Sequence, residues 1–321
     1  MKVFITRKIP NRGLELLTQN KIDFEMSELD RPLTPDELKA KVAGVDGILS
    51  QLVDKITAEV MDAAGKQLKV VANYAVGFDN VSVKDATNRH ILVTNTPDVL
   101  TDSVADHAFA LMMAAARRVV ESDRFSRAGK YQGWQPFLLL GQEVYGKTLG
   151  IIGSGRIGSA LAMRAAKGFN MKVLYHDQKP NENLENEIGA KFVTKEELLK
   201  NSDFVSLHVP LLPETKHLIS THEFEMMKKT AVLVNTARGP VVDEQALLKA
   251  LRNGDIFAAG IDVWENEPKL TPGLEDLENI VITPHTASAT VETRENMSLV
   301  AAQNIIAALK GETPPNLVKI Q

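Results

Sequence analysis

Short runs of β-forming residues alternate with helical stretches almost from one end of the chain to the other, and this alternation constrains the fold more than any other feature. In the first hundred residues the strand candidates are KVFIT (2–6), IDFEM (22–26), GILS (47–50), LKVVAN (68–73) and ILVTN (91–95). Between them lie helix-like segments such as TPDELKAKV, where Thr34 supplies a cap, Pro35 the first turn, and Asp36 and Glu37 early acids. A second series comprises TLGIIG (148–153), KVLYHD (172–177), KFV (191–193), FVSLHV (204–209), AVLVNT (231–236), AAGIDV (258–263) and VITPH (281–285). Strand, helix and strand in succession make a βαβ unit, so each series implies a parallel sheet covered by helices. Two series imply an α/β protein of two doubly wound domains, Rossmann-like or flavodoxin-like. A ligand is expected in the cleft between them.

Two long helices mark the crossings between the series. TDSVADHAFALMMAAARRVVESDRF reads as one helix that Asp102 or Thr101 can cap, with Val104, Ala105, Ala108, Leu111, Met112 and Ala115 in one stripe. A second helix runs from about Thr290 to Lys310. It keeps Met297, Val300, Ala301, Asn304, Ile305, Ala308 and Leu309 on one face, and Gly311 and Pro314-Pro315 stop it. Residues 1–99 with 287–321 are therefore expected to form one discontinuous domain and residues 100–286 the other. The loop KYQGWQPFLLLGQEVYGK (130–147), rich in glycine and aromatics, is expected to be exposed.

Composition excludes several classes of function. A net charge of −4 over 37 basic and 41 acidic residues carries no polyanion-binding signal, and the doublet Arg117-Arg118 reads as a helix end that complements the dipole. The chain has no cysteine, which removes disulfides, thiolate metal sites and a cysteine nucleophile and fits a reducing compartment. No apolar run approaches the ~20 residues of a membrane helix. MKVFIT alternates like a strand and does not read as a signal peptide. The expectation is a cytoplasmic protein without nucleic-acid or membrane partners.

TLGIIGSGRIGSALAM places Gly153, Gly155 and Gly158 in the spacing G-x-G-x-x-G, directly after a strand and at the start of a helix. Gly153 permits a tight turn, Gly155 lets backbone approach a pyrophosphate, and Gly158 lets helix and strand pack closely. The N–H groups of the helix start then face the phosphates. The next strand ends in Asp177, 19 residues after Gly158. A carboxylate there accepts hydrogen bonds from the ribose hydroxyls and repels a 2′-phosphate, so NAD is favoured. Lys179 softens the discrimination, and NADH is preferred over NADPH without exclusivity. Residues 100–286 thus read as the NAD-binding domain.

Ligands in such sheets bind beyond the carboxyl ends of the strands. Arg238 follows AVLVNT, Glu267 lies in the loop after AAGIDV, and His285 closes VITPH. Singly, each has an ordinary reading as a surface arginine, a solvated loop acid and a turn histidine. Together beside a nicotinamide site they suit reduction of a carbonyl next to a carboxylate. The arginine binds the carboxylate and polarises the carbonyl, the histidine donates a proton, and the glutamate holds the imidazolium and its orientation. No second histidine at metal-ligand spacing accompanies His285, so no metal site is expected. Ser103, Ser154 and Ser288 lack a nucleophile-elbow context.

The segments NYAVGFDNVSVKDA, VTNTPDVLTDSVADHAFALMMAAARR, GKTLGIIGSGRIG, DFVSLHVPLLPETKHLI, VLVNTARGPVVDEQALLKAL, GIDVWENEP and VITPHTASAT resemble the D-isomer-specific 2-hydroxyacid dehydrogenases over essentially the whole chain. TPDVLTDSVAD, the GW-x-PFLLLG loop and NMSLVAAQNIIAALKGETPPNLV look most like the glyoxylate/hydroxypyruvate reductases of that family. The resemblance implies the same catalytic trio, Arg238, Glu267 and His285. It implies that residues 1–99 with 287–321 are the substrate-binding, catalytic domain, that backbone amides around Val76 and Gly77 hold the substrate carboxylate and that Leu52 lines the pocket. Cofactor contacts implied are Arg156 and Ile157 at the pyrophosphate, Asp177 at the ribose, Val209 and Pro210 near the adenine side, and Thr215. Thr101, Thr236, Ala237 and Asp262 would surround the nicotinamide. A homodimer through the cofactor domain is implied, its interface drawing on the long helix near residues 102–120, with Trp134 a candidate to reach across. Asp177 departs from the small or basic residue of the NADPH-using reductases.

The resulting expectation is reduction of glyoxylate or hydroxypyruvate, giving glycolate or D-glycerate. The alternatives are an NAD-sensing corepressor on the same fold, or another D-2-hydroxyacid dehydrogenase such as a short phosphoglycerate dehydrogenase, the forms with a regulatory C-terminal domain being disfavoured because the chain ends soon after Pro315. A formate dehydrogenase is opposed by Glu267, where that group carries Gln.

Overall fold

In the computed structural model, which describes residues 1–319, the two series of runs become two sheets. The first contains β1 (Lys2–Ile5), β2 (Asp23–Met26), β3 (Gly47–Ser50), β4 (Val70–Asn73) and β5 (Leu92–Thr94), in the order β2-β1-β3-β4-β5. The second contains β6 (Thr148–Ile152), β7 (Lys172–His176), β8 (Lys191–Phe192), β9 (Phe204–Leu207), β10 (Val232–Asn235), β11 (Ala258–Ile261) and β12 (Ile280–Ile282), in the order β12-β11-β10-β9-β6-β7-β8. Every neighbouring pair is parallel. The first order is flavodoxin-like and the second is that of a dinucleotide-binding sheet with one added edge strand.

The predicted runs mostly overshoot the strands at their carboxyl ends. In VITPH the strand begins at Ile280 and stops at Ile282, ahead of Thr283-Pro284. Proline has no N–H for the ladder, so pairing ends there. The strands β3, β4, β9, β10 and β11 are buried along their whole length, as expected of sheets covered on both faces.

The chain divides into two compact units, Met1–Leu100 with the chain from Ala289 onward, and Thr101–Ser288. In the first, Phe4, Ile48 and Val71 pack with Val42, Ile56 and Val60 from the covering segments. In the second, alternate strand residues feed two apolar layers. Ile152, Val205, Leu207, Leu233 and Ile261 enter one, and Ile151, Phe204, Val232, Val234 and Ala258 the other.

The long helix expected after residue 100 is in fact two, Thr101–Ala116 and Val119–Arg127. Arg118 sits between them in the left-handed region at φ 51°, its guanidinium paired with both Glu121 oxygens at 2.6 Å. The break has a packing cause. The buried stripe from Val104 to Ala116 drives the first helix, whereas Val119–Arg127 buries no residue. Thr101 is the first helical residue, and Asp102 pairs with Arg164 (2.8 Å), tying this helix to Arg156–Phe169.

The terminal helix, Val291–Lys310, starts where Thr290 accepts a bond from Thr293 N and ends at Gly311. It lies against the helix Asn11–Gln19 so closely that a Cβ at Gly13 would stand 2.3 Å from Ser298 O. The loop after residue 130 is exposed, with Trp134 and Phe137 at 82% and 84% of full exposure. No helix among the described residues is long and apolar enough to cross a membrane.

Candidate functional site

Strand β6 is the point at which the order of the seven-stranded sheet reverses, with β7 on one side and β9 on the other. Its carboxyl end is where a sheet of this kind leaves a crevice, and the glycine loop begins there. Gly153 has φ 95°, and a Cβ on it would lie 2.7 Å from His208 O. A Cβ on Gly158 would lie 2.1 Å from Gly153 O, so the helix can approach the strand only without a side chain. At Gly155 an added Cβ meets nothing within 4 Å, so its face is open. The helix Arg156–Phe169 starts at this open face with no side-chain cap, which leaves its first turn of N–H groups, including that of Ile157, oriented toward an incoming anion.

Asp177 stands beside the loop. Its Oδ2 accepts from Ser154 N (2.7 Å) and Ser154 Oγ (2.8 Å), and its Oδ1 from Gln178 N (2.7 Å). Asn181 Nδ2 donates to Ser154 O (2.8 Å), so the glycine loop and the end of β7 are fastened together. Val209 and Pro210 follow β9, where Thr215 Oγ1 donates to Pro210 O (2.6 Å) and accepts from Leu212 N (2.8 Å). After β10, Thr236 Oγ1 is buried without a hydrogen-bond partner, and Ala237 N donates to Asn235 Oδ1 (3.0 Å). The open face at Gly155, the carboxylate at the end of β7 and the orphaned hydroxyl at the end of β10 together fit a dinucleotide laid over this edge.

The three charged residues leave the same edge. In β10, β11 and β12, Asn235 pairs with Ile261 and Ile261 with Ile282, so Arg238, Glu267 and His285 all follow the carboxyl ends of adjacent strands. Arg238 precedes the short turn Gly239–Val241, with its Nη1 donating to Ala237 O (2.8 Å) and its carbonyl accepting from Asn235 Nδ2 (3.0 Å). Gly239 lies so close to the backbone of Trp264 and Glu265 that no Cβ would fit, which brings the β10 and β11 loops into contact. Glu267 Oε1 accepts from Trp264 N (3.2 Å), and its Oε2 lies 2.9 Å from His285 Nδ1. Both side chains of this pair are 26% exposed. With Nδ1 turned to the carboxylate, Nε2 is the nitrogen left for a ligand.

His285 has φ 53°, a strained conformation for a non-glycine residue. Its N–H donates to Asp262 O and Thr283 O, both at 2.9 Å. The Asp262 carboxylate clamps the turn on either side, accepting from Thr283 Oγ1 (2.6 Å), Thr286 N (2.8 Å) and Ala287 N (2.9 Å). His107 Nε2 adds a contact to Thr283 Oγ1 (2.9 Å) and lies 3.4 Å from Asp262 Oδ1. Burial pushes the Asp262 carboxyl up, but the bonds from His107, Thr283, Thr286 and Ala287 outweigh it and hold the pKa below the usual carboxylate value.

His107, Thr283 and Ser154 were not anticipated from the sequence. His107 lies 176 residues from Thr283 and reads simply as a helix residue. In the other unit, Leu52 follows β3 and is partly buried. The loop after β4 carries Val76 and Gly77, whose carbonyls accept from Asn95 Nδ2 and Asn73 Nδ2, each at 2.8 Å. Among the described residues, no group of three or more His, Cys, Asp or Glu is placed to hold a metal.

Comparison with known proteins bears on this arrangement. Residues 109–287 match the family model for the D-isomer specific 2-hydroxyacid dehydrogenase NAD binding domain. A glyoxylate reductase of Korarchaeum cryptofilum is 52% identical over 99% of this chain and 95% of its own length. One of Pyrococcus furiosus is 50% identical over the same shares. Among solved structures, a Thermus thermophilus protein superposes with a TM-score of 0.92 at 46% identity, covering 99% of this chain and 100% of that one. The NADPH-dependent glyoxylate/hydroxypyruvate reductase of Sinorhizobium meliloti, solved with NADP and malonate, gives 0.86 at 34% identity, over 99% of this chain and 96% of that one. An open glycine loop, the Asp177 carboxylate fastened beside it and a histidine–glutamate pair at neighbouring strand ends thus stand in a chain that belongs to the D-isomer-specific 2-hydroxyacid dehydrogenases.

Proposed function

We propose that this enzyme reduces a small 2-oxo acid, glyoxylate to glycolate or hydroxypyruvate to D-glycerate, with NADH preferred over NADPH. The observation that carries the reading is the 2.9 Å contact between Glu267 and His285 Nδ1, which leaves Nε2 as the donor at the edge where Arg238 also emerges. Bound NADH supplies the hydride. Arg238 binds the carboxylate and polarises the carbonyl, and His285 gives its Nε2 proton to the oxygen as negative charge develops there. Glu267 balances the charge of the imidazolium and fixes its orientation. Backbone amides at Val76 and Gly77 hold the substrate carboxylate, and Leu52 also contacts the substrate.

The names of the relatives at about 50% identity support this substrate class. Gly153, Gly155, Arg156, Ile157 and Gly158 take the pyrophosphate, Asp177 the ribose, Val209 and Pro210 the adenine side, and Thr215 is a further cofactor contact. Thr101, Thr236, Ala237 and Asp262 take the nicotinamide, the first of these opening the helix that follows residue 100. Asp177 opposes a 2′-phosphate, which supports NADH here even though the Sinorhizobium meliloti enzyme is NADPH-dependent. The protein works as a homodimer, a reading supported by the aromatic side chains of Trp134 and Phe137 left exposed on one loop, and in the cytoplasm, a reading supported by a sequence without cysteine.

The direct test is oxidation of NADH and of NADPH with glyoxylate, hydroxypyruvate and pyruvate. The expected result is turnover of the first two, with the larger kcat/KM for NADH. Binding of NADH without turnover of any 2-oxo acid overturns the proposal.

A further inference from the structure

The loop between β4 and Asn80 ties three successive carbonyls back into its own unit. Ala75 O accepts from Thr96 N (2.9 Å), Val76 O from Asn95 Nδ2 (2.8 Å) and Gly77 O from Asn73 Nδ2 (2.8 Å). In a planar trans peptide the N–H points opposite to the C=O. These three bonds therefore also fix where the N–H groups of Val76, Gly77 and Phe78 point, away from the groups that hold the carbonyls.

The two asparagines are themselves braced. Asn73 is fully buried and pairs reciprocally with Asn80: each Nδ2 donates to the other's Oδ1 at 3.0 Å. Ser50 Oγ donates to Asn73 Oδ1 (3.0 Å), and Asn80 Nδ2 reaches Gln51 O and Asp54 O, both at 3.0 Å. Asn95 is held through its backbone. Its carbonyl accepts from Nδ2 of the fully buried Asn304 (3.0 Å), and Asn304 Oδ1 accepts in turn from Asn316 N (3.1 Å). The side chains that hold the Val76 and Gly77 carbonyls are neutral carboxamides. A carboxylate in their place could not donate to a carbonyl, and it would set a negative charge behind amides that are to receive an anion.

We propose that Asn73 and Asn95 are positioning residues. They hold the amides of Val76, Gly77 and Phe78 in the orientation that grips the substrate carboxylate, and so set the affinity for the 2-oxo acid rather than the rate of the chemical step. This rests on the reading above that the loop meets the carboxylate. Binding that is equal in ground and transition state appears in KM with kcat unchanged.

The test compares Asn95→Asp and Asn95→Ala with the wild-type enzyme, measuring kcat and KM for glyoxylate, the NADH dissociation constant and Tm. Asn95→Asp is expected to raise KM at least roughly tenfold, since it loses the donor and adds the charge. Asn95→Ala should raise it less, while kcat and NADH affinity stay within about threefold of wild type in both. A purely structural role shows instead as a loss of Tm with kcat and NADH affinity falling in parallel, whichever of the two variants is the more disruptive. Asn73→Asp, also isosteric, should follow Asn95→Asp. Unchanged KM in Asn95→Asp, a larger KM effect in Asn95→Ala, or parallel loss of kcat and NADH affinity overturns the proposal. Wild-type enzyme that turns over no 2-oxo acid instead overturns the underlying substrate reading, and the proposal falls with it.

Discussion

Each unit buries an aspartate in a loop beyond its sheet, and the two carboxyls respond to burial in opposite ways. Asp262 is 1% exposed and its pKa lies below the ordinary value, whereas Asp54 is 5% exposed and its pKa lies above it. Burial pushes both upward. At Asp262 it is overcome by donors spread over both oxygens, Thr283 Oγ1 and Thr286 N on Oδ1 and Ala287 N on Oδ2. At Asp54 it prevails, because Thr6 Oγ1 (2.5 Å) and Gln51 N (2.7 Å) both land on Oδ2. How many donors a carboxylate collects, and on which oxygens, decides whether its charge supports the fold. The charged form is built into the turn that carries His285, and in the first unit it is merely tolerated.

The sharpest way to break this contrast is substitution by asparagine at both places. Asp262→Asn leaves one carbonyl oxygen for donors that used two, and turns an amide N–H toward a backbone N–H. It is expected to cost about 1–3 kcal/mol. That lowers Tm by several degrees, at roughly 2–4 °C per kcal/mol for a unit of this size. Because the strained turn at His285 loses its clamp, kcat should fall as well. Wild-type Tm and kcat in this variant would show that the clamp holds nothing.

Asp54→Asn is expected to be neutral or slightly stabilising near neutral pH, since one carbonyl oxygen can receive both donors and the cost of a buried charge disappears. A loss as large as that of Asp262→Asn would erase the distinction between the two sites.

The smallest effect is in the pH dependence of these differences. Asp262 has a folded pKa below its unfolded value, so its stabilisation is complete above about pH 3.9 and is lost as pH falls through the lower folded value. Asp54 has a folded pKa above its unfolded value, so its charged form weakens the fold once pH has risen past that folded value, and protonation on acidification relieves it. In melts from neutral to acid pH, the Tm deficit of Asp262→Asn should shrink below about pH 4, and any advantage of Asp54→Asn should vanish. Gaps that do not change with pH would mean that neither carboxyl is ionised as described.

Much of this was legible in the sequence, for definite reasons. Strands covered on both faces are continuous apolar runs, and β9 and β10 could be read from FVSL and VLVN because their flanking signals were also present. The strand-end positions of Arg238, Glu267 and His285 followed from the same alternation, and the interval from Gly158 to Asp177 followed from the length of one helix and one strand. The break at Arg118 was hidden because the residues after Ala116 still suit a helix, and only the end of burial separates the two segments. The clamp at Asp262 was hidden for another reason. His107 and Thr283 meet only once the chain has folded, so no local spacing announces the contact. The asparagines behind Val76 and Gly77 were hidden likewise, since each reads as an ordinary polar residue near a strand end.

The central claim is that His285 supplies the proton and Glu267 orients it. The most direct test is kcat/KM for glyoxylate with NADH in His285→Ala, beside the NADH dissociation constant of the same variant. The expected result is a fall of roughly 10²–10⁴-fold with NADH affinity unchanged. Turnover within a few-fold of wild type would contradict it.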